Sequence, residues 1–187
     1  DETPSGAPAS QALDGYELAT RLSYFLWSSL PDDALRAAAG RGELAHDEGL
    51  LREVRRLLRD ARASALVEGF FAQWLQLGRL EEAAPDPESQ GFDEGLRRSM
   101  RRETELFCEA LLREDRPLEE LLTADFAFLD ERLARLYGVA GVRGSGFRRV
   151  PLADARRGGL LAQASILTLT SNPARTSPVK RGKWILE

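Results

Sequence analysis

The chain has 187 residues, and its 43% hydrophobic and 30% charged fractions are those of a globular protein that can bury a core in one or two domains. Its 26 lysines and arginines against 30 aspartates and glutamates give a net charge of −4, which argues against general nucleic-acid binding. One histidine and one cysteine exclude an internal disulfide and a multi-histidine or cysteine-rich metal site within the chain.

The chain is predicted to open with a linker and two helices. Residues 1–13 are small and polar, which predicts a linker or the edge of a fragment. From Asp14 the pattern is helical and apolar over most of the circumference, so we expect this helix to be central; its stripe consists of Leu18, Leu22, Phe25, Leu26 and Leu30. Asp32, after Pro31, opens a short helix that Gly40 ends.

The middle of the chain predicts further helices. Leu50, Val54 and Leu57 lie opposite a face of arginines, which predicts an amphipathic surface helix. Apolar pairs repeat every four residues over 66–75 and predict a helix with a broad aromatic side that packs in the core. After a polar loop, the apolar spacing over 92–114 predicts a long helix.

The last part of the chain predicts short helices separated by loops. Asp130 is the expected N-cap of a helix that runs to Tyr137, where Gly138 ends it. The segment 141–151 reads as a loop with at most one short extended piece, and a helix is predicted over 154–170. No segment alternates convincingly at a period of two. The predicted fold class is therefore all-α, an irregular bundle of about eight helices with little or no β-structure.

Glu103 is the first candidate functional residue. It lies on the apolar stripe of the long helix, seven residues after Leu96 and four before Phe107. An unpaired buried charge is costly, so we expect this carboxylate to be paired with an arginine or neutralised. The residues favour a structural ion pair, and a catalytic role is the alternative.

The second candidate is a basic segment near the C-terminus, residues 171–183, within a longer run that lacks acidic residues. From Ala155 to Leu186 the chain has six cations and no acidic residue, and Ser177 followed by Pro178 predicts a helix start whose N–H groups favour an anion. One interpretation is a surface that binds an anion, a cofactor propionate or an acidic side chain of another domain through Ser171, Asn172, Arg175, Thr176, Ser177, Lys180, Arg181 and Lys183. The other is a capped loop whose cations pair with acidic helices of the same chain.

The remaining reactive side chains are predicted to be structural. Cys108 has no base beside it in the sequence and is expected to be a small buried hydrophobe. His46 lies in a charged connection and is expected to be solvated. Adjacent carboxylates do not share a helix face and make poor acid–base pairs, as in Asp32-Asp33, Glu81-Glu82 and Glu119-Glu120. Core packing is expected of Trp27, Trp74 and Trp184.

Several stretches resemble one known pair of domains. A helical domain of unknown function from planctomycetes, myxobacteria and related bacteria is similar in its opening to YELATRLSYFLWSSLPDDALRAAAGRGEL (Tyr16–Leu44) and LRDARASALVEGFFAQWL (Leu58–Leu75). The rest of that domain is similar to RRETELFCEALLREDRPLEELLTADFAFLDERLARLYGV (Arg101–Val139). The domain that usually follows it begins with a sequence that resembles RRGGLLAQASILTLTSNPARTSPVKRGKWILE (Arg156–Glu187).

The resemblance implies a domain division and a context. It implies a first module over residues 14–140 and the start of a second, truncated module over 141–187. In these families the modules belong to large exported proteins that often carry a c-type cytochrome domain. The implied location is the periplasm or cell surface, and the implied partners are neighbouring domains of the same polypeptide. Haem attachment needs Cys-x-x-Cys-His, which this chain lacks, so no cofactor is expected here and any haem c would belong to a separate domain.

The resemblance implies no established activity. Glu103 and the stretch 171–183 match motif positions of the family. The family often has Asn and His where this chain has Asp130 and Leu136, so any functional role of that histidine would be missing here. The leading prediction is a non-catalytic scaffold or docking module with the basic segment as its contact surface and no membrane span. The alternatives are an enzyme with Glu103 as general base and Lys180 or Arg181 as anion clamp, and a redox module whose aromatic side chains lie beside a haem of another domain.

Overall fold

The structure is a computed structural model that describes residues 13–83, 91–152, 157–173 and 175–186. The described residues are predominantly helical with two small antiparallel strand pairs, which confirms the predicted fold class. Most of the predicted linker, residues 1–12, lies outside the described residues. The chain divides into two compact units, Asp1–Leu66 and Val67–Glu187.

The first unit is a small group of helices with polar caps. Asp14 accepts a hydrogen bond from the Glu17 N–H, and the Glu17 side chain accepts one from the Asp14 N–H, which forms a capping box. Asp32 caps the second helix by accepting the Leu35 N–H. In order, the elements are α1 (Gly15–Trp27), α2 (Asp33–Gly40), a 3₁₀ turn (Glu43–Ala45), α3 (Asp47–Arg59), a 3₁₀ turn (Ala61–Ala63) and α4 (Ser64–Leu66).

Helix α1 buries one face only. Trp27 is buried, and its indole N–H donates a 2.9 Å hydrogen bond to the Leu57 carbonyl oxygen of α3. Phe25 and Leu30, which we expected on a buried stripe, are 63% and 65% exposed. The expected stripe is therefore only partly buried: α1 buries Ala19, Ser23, Leu26 and Trp27, whereas Phe25 and Leu30 are exposed.

The second unit is built around one long helix. It begins with a π-helical segment (Val67–Phe71), which ends in the adjacent aromatic residues Phe70 and Phe71. In order, the elements that follow are α5 (Ala72–Trp74), a 3₁₀ turn (Leu77–Leu80), α6 (Glu94–Arg113), α7 (Glu120–Thr123), β1 (Phe126–Leu129), α8 (Glu131–Tyr137), β2 (Arg148–Pro151), a 3₁₀ turn (Leu160–Ala162), α9 (Ala164–Leu169), β3 (Ser171–Asn172), β4 (Arg175–Thr176) and α10 (Pro178–Leu186).

The core of this unit surrounds α6. Phe107 is fully buried and packs against Phe126 of β1, with ring centroids 5.5 Å apart. Met100, two turns earlier on the same helix, belongs to a second buried cluster with Leu129 and Leu133. Helix α6 thus contributes side chains to two hydrophobic clusters, and Glu103 lies between these contributions along the helix.

The pair β1–β2 contains a strand that the sequence analysis did not predict. The strands are antiparallel, with Phe126 opposite Pro151 and Leu129 opposite Arg148. Three of the four residues of β1 are buried, so the strand is apolar on both faces and shows no alternation. Strand β2 lies in the segment 141–151, where a short extended piece was expected.

Helix α9 is shorter than the predicted helix over 154–170. Residues 153–156 lie outside the described residues, and the helix begins at Ala164. Gly159 interrupts the predicted helix, because its φ is +67° and a Cβ at this position would lie 2.4 Å from the Leu122 carbonyl oxygen. At Gly159 the backbone lies too close to α7 for a residue with a side chain. After a 3₁₀ turn, Gln163 is extended and serves as the N-cap of α9.

Candidate functional site

Glu103 is fully buried in the middle of α6. Its Oε2 accepts a 2.7 Å hydrogen bond from the Tyr137 hydroxyl, while Oε1 has no hydrogen-bond partner among the described residues. Burial raises the pKa of Glu103 to about 8; the hydrogen bond from Tyr137 opposes this shift, Asp130 adds to it, and Arg157 opposes it. The carboxyl is therefore mostly neutral at neutral pH, and no described arginine forms the ion pair that the sequence favoured.

Tyr137 connects Glu103 to two other elements. It is the last residue of α8, where Gly138 ends the helix in a left-handed conformation, as predicted. Its hydroxyl donates to Glu103 and accepts a 2.7 Å hydrogen bond from the Ala164 N–H at the start of α9. Burial raises the pKa of Tyr137, so the hydroxyl stays protonated. One phenol therefore joins α6, α8 and α9.

A second buried polar group lies one residue further along α6. The Thr104 hydroxyl is 2.7 Å from Gln163 Oε1 and 2.6 Å from Ser165 Oγ. These three side chains are buried and satisfy one another. They fix the first turn of α9 against α6, and this turn carries the Ala164 N–H that donates to Tyr137.

A cavity of about 640 Å³ lies beside Tyr137, and we call it the Tyr137 cavity. Its lining combines apolar side chains with three cations; it includes Phe92, Leu96, Met100, Leu167, Arg79, Arg157, Lys180, Ser171 and Asn172. The Arg157 guanidinium lies 4.9 Å from the centre of the Tyr137 ring. Glu103 does not line the cavity, but Tyr137 and Ala164, which meet at the Tyr137 hydroxyl, both do.

The basic segment (residues 171–183) folds as a hairpin of two-residue strands followed by the start of α10. Ser177 accepts a 3.3 Å hydrogen bond from the Lys180 N–H, which confirms the predicted cap. The Lys180 ammonium donates to the Ser171 carbonyl oxygen at 3.4 Å, and the Arg181 Nε donates to the Thr170 hydroxyl at 3.3 Å. Arg175 and Thr176 are exposed on β4.

The structure brings part of this segment to the Tyr137 cavity and leaves the rest outside. Ser171, Asn172 and Lys180 line the cavity together with Tyr137, which is hydrogen-bonded to Glu103. Arg175, Thr176, Ser177, Arg181 and Lys183 do not line it. The predicted set is therefore divided between a cavity wall and an outer surface.

Three cations of the basic segment lack acidic partners in the described part of the chain. Arg175, Lys180 and Arg181 form no ion pair with a described carboxylate. Arginines on other elements of the unit do, as in the 2.7 Å pair of Arg132 with Asp93 and the 2.8 Å pair of Arg149 with Glu114. The interpretation in which the cations of the segment pair with acidic helices therefore does not describe these three residues.

The other predicted residues take structural places. Cys108 is buried, and burial, with a smaller contribution from Glu105, raises the pKa of its thiol to about 12, so the thiolate that chemistry would need is not formed. His46 is exposed. Trp74 is half exposed, contrary to expectation, and with Leu122 and Trp184 it lines an apolar groove of about 520 Å³, the Trp184 groove, which has no cation in its lining.

Sequence reasoning missed Tyr137, Arg157 and Arg79 as members of the site. Tyr137 marked only the end of a helix, and the 34 residues that separate it from Glu103 hide the hydrogen bond between them. Arg157 was one of the cations of the acid-free run, and its position over the Tyr137 ring has no local signature. Contacts of this range depend on tertiary packing.

The described residues offer neither a metal site nor a membrane span. Among residues 13–83, 91–152, 157–173 and 175–186, no group of three or more His, Cys, Asp or Glu side chains is arranged to hold a metal ion. No helix in the same ranges is both long enough and apolar enough to cross a membrane.

Comparisons with known proteins agree with the sequence resemblance. Residues 13–139 match the family model PSD4, described as a protein of unknown function (DUF1592). Residues 157–187 match PSCyt3, also described as a protein of unknown function (DUF1588). These matches confirm the resemblance to a pair of domains of unknown function, and neither description names a cofactor. Curated proteins and solved structures give no significant match.

Proposed function

Because the chain belongs to the DUF1592 family of proteins of unknown function, whose description names no activity, we propose its role from its surface: it is a non-catalytic scaffold and docking module of a larger exported protein. The basic segment is the docking surface, and its partner is an acidic surface of a neighbouring domain. The name PSCyt3 of the second matching model supports a c-type cytochrome domain as that neighbour, in the periplasm or at the cell surface.

One observation carries this proposal. Arg175, Lys180 and Arg181 form no ion pair with a described carboxylate, although the chain has more acidic than basic residues. Cations without acidic partners keep their electrostatic field toward solvent, and such a field steers and orients an acidic partner. Arg175 on β4 and Arg181 on α10 lie in consecutive elements and outside the lining of the Tyr137 cavity, so both are available to one partner surface.

The docking surface is tested by reversing its charge. We expect the double variant Arg175→Glu, Arg181→Glu to weaken binding to the c-type cytochrome domain of the same polypeptide by about 10-fold or more, because each reversal turns an attraction across the interface into a repulsion. Isothermal titration calorimetry at about 0.05 M and about 0.15 M salt measures the affinity, and the native interaction should weaken as salt screens it.

A matched charge reversal is the control. Arg143 and Arg148 are exposed and lie outside the basic segment, so Arg143→Glu with Arg148→Glu changes the net charge equally. We expect this control to bind as the native chain does, within about 2-fold. Equal losses of affinity in both double variants would mean that net charge, and not the basic segment, controls binding. Unchanged binding in the first variant, with the fold retained by circular dichroism, would refute the docking surface.

An enzyme is the second candidate function, and one observation favours it. The carboxyl of Glu103, with its raised pKa, is hydrogen-bonded to Tyr137 in the wall of a cavity. Glu103 does not itself line that cavity, so a proton would have to pass through the Tyr137 hydroxyl. The general-base role assigned to Glu103 in the sequence analysis therefore requires Tyr137 as the group that meets a substrate.

A further inference from the structure

We propose that the Tyr137 cavity is a binding site for a small organic carboxylate with an apolar body, held by Lys180 and Arg157 and by the hydroxyl of Tyr137. The proposal does not depend on docking by the basic segment. The outer cations Arg175 and Arg181 do not line the cavity, so the two sites can be tested with different variants.

The lining matches the two halves of such a ligand. Phe92, Leu96, Met100 and Leu167 supply apolar contact area, and a volume of about 640 Å³ lies in the range of small-molecule sites. The charged part of the lining brings three cations against one acidic residue; it consists of Arg79, Arg157, Lys180 and Glu82. A purely inorganic anion would leave the apolar part of the wall without a partner, so the chemistry favours an amphiphilic carboxylate.

The Tyr137 hydroxyl can take part if one of its hydrogen bonds reverses direction. Its oxygen already accepts the Ala164 N–H, and its proton points to Glu103 Oε2. When Glu103 is neutral, a proton on Oε2 can donate to Tyr137, whereas a proton on Oε1 would be a buried donor with no partner among the described residues. The first arrangement occupies both acceptor sites of the phenol and frees its O–H to donate to a carboxylate in the cavity.

Glu103 therefore sets the direction of the Tyr137 hydrogen bond. When Glu103 is neutral, it donates a hydrogen bond to the Tyr137 oxygen, and the Tyr137 O–H is free to donate to the ligand. When Glu103 is ionised, the Tyr137 O–H donates to Glu103 instead, and the negative charge of Glu103 repels a carboxylate in the cavity. The groups that act on Glu103 are Tyr137 from α8, Asp130 at the N-cap of α8, and Arg157 from the segment before α9. Burial is the largest influence on its ionisation.

The first experiment compares two probes that differ only in the head group. Binding of 4-phenylbutyrate and of the neutral 4-phenylbutan-1-ol to the full chain is measured by isothermal titration calorimetry at about pH 7. We expect the carboxylate to bind with a Kd below about 1 mM and the alcohol to bind at least about 10-fold more weakly. The Trp184 groove has no cation in its lining and would not favour the carboxylate over the alcohol.

Variants locate the binding. Tyr137→Phe and Lys180→Gln should each weaken 4-phenylbutyrate binding by about 10-fold, whereas Arg143→Gln, on an exposed residue outside the cavity, should leave it within about 2-fold. Lys180 is exposed, so its substitution tests the site even where loss of the Tyr137 hydroxyl disturbs folding. Equal binding of the two probes, no binding of either at about 10 mM, or full binding in Lys180→Gln would overturn the proposal.

A pH series separates the Glu103 arrangement from simple charge attraction. Affinity of the native chain for 4-phenylbutyrate should fall by about 10-fold between about pH 7 and about pH 9, as Glu103 ionises. Glu103→Gln stays neutral and can still donate to Tyr137, so it should bind within about 3-fold of the native chain at pH 7 and lose this pH dependence. Parallel pH profiles for the two proteins would refute the assigned role of Glu103.

Discussion

The Glu103 carboxyl is fully buried, yet it receives one hydrogen bond and no ion pair in the described part of the chain. The sequence predicted its burial because a polar residue on a strict apolar stripe must face the core. It could not show which form of charge compensation occurs, since an arginine pair and neutralisation leave the same pattern along a helix. The partner is Tyr137, and burial raises the pKa of Glu103 to about 8.

This raised pKa predicts a defined dependence of stability on pH. In the unfolded chain the carboxyl ionises near its ordinary pKa of 4.5, so between about pH 4.5 and pH 8 the folded state binds more protons. The contribution of Glu103 to the free energy of unfolding is therefore complete below pH 4.5 and is lost as the pH rises. The loss is on the order of 3 kcal/mol by pH 7. Glu103→Gln removes this titration. The difference in free energy of unfolding between the variant and the native chain, measured by urea unfolding, should therefore change by most of these roughly 3 kcal/mol between about pH 5 and pH 7.

The control for this experiment is an exposed carboxyl on the same helix. Glu94, exposed on the first turn of α6, is substituted to Gln in the same way. Its difference from the native chain should stay within about 0.5 kcal/mol over the same pH range. A constant difference for Glu103→Gln would mean that Glu103 is charged in the folded protein.

At the scale of elements, helix ends were predictable and strand pairing was not. Asp14, Asp32 and Asp130 each accept a backbone N–H three residues ahead, an interaction that depends only on local sequence. Strand β1 is apolar at every position because it is buried on both faces, so it lacks the alternation that identifies a strand. Its partner β2 is about 20 residues away, and only tertiary packing brings the two together.

Two glycines of the second unit are expected to respond oppositely to alanine. Gly159 has φ +67° and ψ −179°, a conformation open almost only to glycine, and a Cβ there would lie 2.4 Å from the Leu122 carbonyl oxygen. Gly182 lies within α10, and a Cβ at this position would meet nothing within 4 Å among the described residues. Gly159→Ala should therefore cost about 2 kcal/mol or more, and Gly182→Ala should gain about 0.5 kcal/mol.

Urea unfolding followed by far-ultraviolet circular dichroism measures both changes. Because the two substitutions add the same single methyl group, their difference reports the backbone conformation and the approach of α7 rather than side-chain chemistry. Equal effects of the two substitutions would show that the close approach at Gly159 does not occur in solution.

At the scale of the whole molecule, the surface carboxylates and Glu103 respond to pH in opposite directions. Arg56 lowers the pKa of Asp32, Arg149 lowers that of Glu114, and similar contacts with arginines or backbone N–H groups lower the pKa of Glu43, Asp60, Asp93 and Glu131. A lowered pKa contributes stability that is present above the unfolded-state value, near 4, and is lost as the pH falls. Glu103 contributes in the opposite sense.

These two effects predict a stability maximum in mildly acidic solution, near about pH 5, in place of neutral pH. Salt should separate the loss of stability below this maximum from the loss above it, because the surface ion pairs are screened in about 1 M NaCl while the buried carboxyl is not. The urea midpoint should therefore depend less on pH below the maximum when salt is added, and its decline from about pH 5 to pH 7 should persist. Glu103→Gln should remove that decline in both buffers. If salt leaves the pH dependence of stability below the maximum unchanged, the acid sensitivity does not come from the surface ion pairs.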